Sequence, residues 1–108
     1  MYDDLKNALL SAQTIPMAEY AWATRPTGQH GLFQPDFEID DNGDNDHQER
    51  GWQGSVDLYT NGPDAAAYAE IEGILNEFCE GSWYINLNTV DTETRLLHRE
   101  YVWELEAM

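Results

Sequence analysis

From about Asp64 to Phe78 apolar side chains recur at helical spacing, with Ala67, Ile71, Ile74, Leu75 and Phe78 on one stripe behind the turn Asn61-Gly62-Pro63-Asp64. A helix with one apolar stripe must lie on an apolar surface, and the segments on either side of it offer one by alternating. Before it, Gly51 to Thr60 places Trp52, Val56 and Leu58 on one face and Gln53, Ser55, Asp57 and Tyr59 on the other. After it, with Gly81 expected to end the helix, Trp83, Ile85 and Leu87 alternate with Tyr84, Asn86 and Asn88. The polar turn Asp91-Thr92-Glu93-Thr94 then leads into a final strand carrying Leu97, Tyr101, Trp103 and Leu105.

The first half completes the set. Asp3 or Asp4 caps a short helix with Leu5, Leu9 and Ala12 on one face, which Pro16 stops. Met17 to Thr24 alternates as a strand, with Ala18, Tyr20 and Trp22 on one side, until Arg25-Pro26-Thr27-Gly28 turns the chain. Gly31 to Ile39 reads as a strand that Pro35 demotes to an edge or breaks, and Asp41-Asn42-Gly43-Asp44 is a hairpin turn joining it to the strand at Gly51. The order α-β-β-β-α-β-β predicts one α+β domain over residues 1–108, an antiparallel or mixed sheet of about five strands with both helices on one face.

Charge narrows the function. The net charge is -16, and seven of the 21 acids (Asp36, Glu38, Asp40, Asp41, Asp44, Asp46 and Glu49) crowd the predicted hairpin tip. The flanks are rich in Trp, Tyr and Leu, so this is the surface of a folded body and not an acidic tail. Such a surface repels phosphate and anionic headgroups, which disfavours nucleic-acid binding and membrane attachment. Cys79 is the sole cysteine, and no apolar run approaches the roughly 20 residues of a membrane span. A reducing, soluble compartment is the simplest expectation.

The candidate chemistry is sparse. Glu38 to Glu49 matches parts of a calcium-loop spacing, with acids or Asn at its first, third, fifth and ninth positions, Gly43 at the sixth and Glu49 at the twelfth. It begins with Glu, has Asn45 where an apolar residue is usual, and is flanked by strands, so it reads as a solvated hairpin tip and no cofactor or metal is expected. Cys79 with His98 or His30 as its base is a conceivable nucleophile pair, but Glu77, Glu80 and the negative end of the helix oppose a thiolate there. His30 and His47 fall in turn-like stretches and His98 on a polar strand face, so each is expected at the surface. No catalytic residue is assigned, and the chain is not expected to be an enzyme.

Tyr20, Trp22, Trp52, Tyr59, Trp83, Tyr84, Tyr101 and Trp103 all fall in predicted strands. Most belong to the core, and any left exposed beside the acids would form a protein-binding face.

Several stretches together resemble the small tail-terminator or tail-completion proteins of long-tailed bacteriophages and prophages, also labelled minor capsid or head-tail joining proteins. They are Tyr2 to Leu10, the turn Trp22 to Gly28, the strand Gly54 to Thr60 with the helix after it, and the closing strand His98 to Glu106. The resemblance implies a structural virion protein that forms a ring, typically hexameric, caps the tail tube and meets the head connector. Its partners would be the tail-tube and head-tail connector proteins and sister copies of itself. It would be located in the virion tail, and in the bacterial cytoplasm during assembly. Asp40, Asp41, Asp44, Asp46 and Glu49 at the tip, with Trp22 and Arg25, are the expected interface, the tip facing either the lumen or the next ring. A negative lumen would pass DNA without holding it.

The alternative is an acidic DNA mimic that inhibits a DNA-binding host enzyme. Net charge suits it, but a mimic should spread its acids along helices and strands, whereas a third of them gather here near one turn.

Overall fold

The computed structural model describes residues 2–40 and 50–106, with side chains described for all of these except 37–40, 50 and 106. The elements follow the expected order: α1 (Tyr2–Leu10), β1 (Met17–Glu19), β2 (His30–Asp40), β3 (Arg50–Thr60), α2 (Ala65–Cys79), β4 (Trp83–Val90) and β5 (Leu97–Glu106). They form an α+β body with one five-stranded sheet in the order β1-β2-β3-β5-β4. The sheet is mixed because β1 runs parallel to β2, while the other neighbours are antiparallel.

Alternation along the strands sends one set of side chains under the helices. Phe33 of β2, Val56 and Leu58 of β3, and Tyr101, Trp103 and Leu105 of β5 pack with Leu5 and Leu9 of α1 and Ala67, Ile71 and Leu75 of α2. The Tyr2 ring stacks on Trp52 and Trp103, with centroids 5.8 and 6.1 Å away, so α1 is seated on the same face as α2. Burying one such large apolar side chain contributes about 1.5–3 kcal/mol, and this layer supplies most of what holds the fold.

Polar contacts fix how the helices sit. Asp64 caps α2 by accepting from the Ala67 amide at 3.1 Å. Glu70 of α2 accepts from the amides of Gln13 and Thr14 and from the Thr14 hydroxyl (2.6 Å), clamping the α1–β1 connection to the helix. At the other end of α1, the Tyr2 hydroxyl donates to Glu19 at 2.6 Å and Lys6 pairs with the same carboxylate at 3.3 Å. On the sheet side of α2, Glu72 accepts from the Tyr101 hydroxyl (2.6 Å) and pairs with Arg99 (3.5 Å), whose guanidinium lies 3.7 Å from the centre of the Tyr68 ring.

Five local expectations are corrected. Helix α1 spans Tyr2–Leu10, so Asp3 and Asp4 lie in its first turn instead of capping it, and it ends before Ala12 and Pro16. The strand expected over 17–24 stops at Glu19, because Tyr20 adopts φ 67° and turns the chain away from the sheet. Trp22 therefore lies outside any strand, and its indole N–H donates to the Gly31 carbonyl at 3.1 Å. Helix α2 is capped by Glu80 in the left-handed conformation, one residue before Gly81, which also has positive φ. In β4 the pairing with β5 slips between Ile85 and Leu87, leaving Asn86 as an extra residue. Leu87 thus points to the face opposite Ile85, and the simple alternation read from the sequence fails there.

Candidate functional site

Two features stand apart from the packed core: a cluster of polar rings on the face of the sheet away from the helices, and the free edge made by β4.

The first is set by strand register. His30, Tyr59 and His98 are paired residues on β2, β3 and β5, so their rings line up across the sheet. Tyr59 is stacked between the two imidazoles, with centroids 4.9 Å from His30 and 4.4 Å from His98. His30 is fully buried, which corrects its expected surface position. The Trp22 ring meets it edge-on, and Arg25 crosses over the Tyr59 ring at 4.8 Å. His30 Nδ1–H donates to the Gly28 carbonyl at 2.8 Å, which leaves Nε2 to accept from Arg25 Nε at 3.2 Å; these partners assign the proton to Nδ1. His98 does lie on the polar face as expected, but its Nε2 meets Asp57 at 2.7 Å.

Electrostatics close the cluster. Burial and then Asp57 push the Tyr59 hydroxyl above its usual range, with Arg25 opposing. Asp91 is held below the usual carboxylate range by the Thr94 hydroxyl and amide, against a small desolvation effect, with Arg25 and His98 helping. Arg25 lies 3.9 Å from Asp91. These contacts clip the connection between β1 and β2 onto the sheet.

Cys79 ends α2 as a buried thiol that desolvation pushes up to about 12, so it is protonated at neutral pH. Among the described residues, no three His, Cys, Asp or Glu side chains are grouped to hold a metal ion.

Strand β4 is different in kind. Among the described residues its outer edge has no neighbour in the sheet, and among the described strands it alone carries no charged residue, reading Trp-Tyr-Ile-Asn-Leu-Asn-Thr-Val in a chain of net charge -16. Tyr84, Ile85, Leu87 and Val90 are 55, 44, 38 and 58 % exposed. Tyr84 and Leu87 face the side away from the helices and Ile85 and Val90 the helix side, so apolar surface wraps the edge. The Trp83 indole N–H donates to Asn76 of α2 at 2.7 Å, and Asn86 donates to Glu100 at 2.8 Å, which anchor the strand.

The residues expected at an interface are placed as follows. Asp40 ends β2, in register with Arg50, while Asp41, Asp44, Asp46 and Glu49 lie outside the described residues, as does most of the stretch weighed for calcium. Trp22 and Arg25 are both turned onto their own sheet. Of the aromatics expected to populate the core or an exposed face, Tyr101 and Trp103 are buried, Trp22, Trp52, Tyr59 and Trp83 are half-buried, and Tyr20 and Tyr84 are exposed. The β4 edge was missed as a site, although its lack of charge was already visible in the sequence.

No protein-family model and no curated protein sequence matches this chain.

Proposed function

We propose that this chain is a structural phage virion protein that caps or completes the tail tube and contributes to the head-tail junction as a ring of sister copies. The observation that carries the reading is the free, uncharged and apolar edge at β4. Sheets in monomeric proteins blunt such an edge with lysine, proline or a covering loop. An edge left apolar in a strongly acidic chain suits a protein whose work is to fit against other copies and adjoining parts. The acids supply the complementary property, keeping other surfaces apart from one another and from DNA.

The test is capture by the purified full-length chain, immobilised, from separate solutions of a tail-tube protein and of host nucleases. Retention of the tube protein alone supports the tail role. Retention of a nuclease alone, released by competing DNA, would replace it with the DNA-mimic reading.

A further inference from the structure

The two edges of the sheet are built differently. At one end stands β1, three residues long, whose Glu19 is already engaged by Tyr2 and Lys6. Beyond Phe33, where β1 stops, β2 carries Pro35, which has no N–H to offer, and Asp36, Glu38 and Asp40. Proline and charge are two of the devices that stop an edge from pairing, and the slip at Asn86 is the one such device on β4. At the other end β4 runs for eight residues with neither proline nor charge.

We infer that β4 pairs antiparallel with β4 of a second copy about a two-fold axis, joining the two sheets into one. The inference rests on the assembly reading above and names the contact within it. A second copy fits for reasons of charge and length. Two copies that each carry -16 can approach at low cost only where neither presents an acid, and β4 is the strand that meets this condition. The opposite edge is too short at β1 and too blunted along β2 to accept it. Pairing would cover Tyr84, Ile85, Leu87 and Val90 of both copies while satisfying the outward amides and carbonyls. The slip at Asn86 divides the edge into Trp83 to Ile85 and Leu87 to Val90, which restricts the registers that match, and pairing closes after two copies because each copy offers one β4 edge. A ring assembled this way contains an even number of subunits.

The experiment is sedimentation equilibrium of the full chain over a range of concentrations and ionic strengths, with amide hydrogen exchange on the same samples. The wild-type chain should reach twice 12.4 kDa, and its β4 amides should exchange more slowly as concentration rises. Leu87→Lys and Val90→Lys, both at exposed positions, should weaken pairing by at least about tenfold with circular dichroism unchanged. Leu10→Lys, at an exposed apolar position on α1, should leave it unchanged. A single-copy mass up to about 1 mM at every salt concentration would overturn the inference. So would concentration-independent β4 exchange, or a dimer indifferent to both β4 substitutions. A dimer through β4 that captures no tube protein would uphold the inference while removing the tail role, and a monomer that captures it would do the reverse.

Discussion

Gly54 and Trp103 face each other across the β3–β5 pair, and the absence of a Cβ at Gly54 is what admits the indole to the core. A methyl there would overlap both the Trp103 ring and the backbone carbonyl of Gln34, and a carbonyl held in the β2–β3 ladder cannot swing aside as a flexible side chain would. Gly54→Ala should therefore destabilise the fold by about 3 kcal/mol, at the upper end for overpacking, as read by urea unfolding with an unchanged m-value.

The Tyr101 hydroxyl lies within the core layer and donates to the Glu72 carboxylate, which also pairs with Arg99. Tyr101→Phe keeps the ring and removes one hydrogen bond to a charged group, so a loss of about 1.5 kcal/mol is expected. Adding Glu72→Gln should cost less in the Tyr101→Phe background than in the wild type, because the residues share one network. A double-mutant cycle in chemical denaturation measures that coupling.

Glu70 links pH to stability. Desolvation raises its affinity for a proton, but hydrogen bonds from the Thr14 hydroxyl and the Gln13 and Thr14 amides outweigh this and hold it below the usual carboxylate range. A carboxyl depressed in the folded state adds stability that is complete above its unfolded value of about 4.3 and is lost as pH falls through the lower folded value. The wild-type chain should melt above Glu70→Gln at neutral pH, and the gap should close as pH drops below about 4. Thermal scans across that range check it.

Association should respond to salt in the direction opposite to a contact made of ion pairs. Copies that each carry -16 repel at long range, and raising ionic strength from about 0.1 to 1 M shortens the screening length from about 10 to 3 Å. Higher salt should promote oligomers, which light scattering after gel filtration would detect. A mass that stays constant from low to high salt counts against repulsion as the term that limits assembly.

Helical periodicity and strand alternation report burial directly, which is why α2, β3, β5 and the element order were legible in the sequence. Features set by single backbone angles or by contacts between distant residues were not. Nothing in Met17 to Thr24 signals that Tyr20 takes φ 67°, and an extra residue such as Asn86 is invisible to a two-residue repeat. His30 resembled a turn residue because its neighbours are Gly and Gln, whereas its burial comes from Trp22, Arg25 and Tyr59 folding around it. The absence of charge from Trp83 to Val90 could be read in advance, but that this strand forms an edge depends on the order of the strands.

The most direct test of the assembly role is electron microscopy of this chain mixed with polymerising tail-tube protein, scored by tube length and by the appearance of tube ends. The account predicts cylinders of limited length with a ring-shaped cap at one end, and longer, bare tubes when Leu87→Lys replaces the wild-type chain. Tubes of the same length and with the same ends whether or not the wild-type chain is present would contradict it.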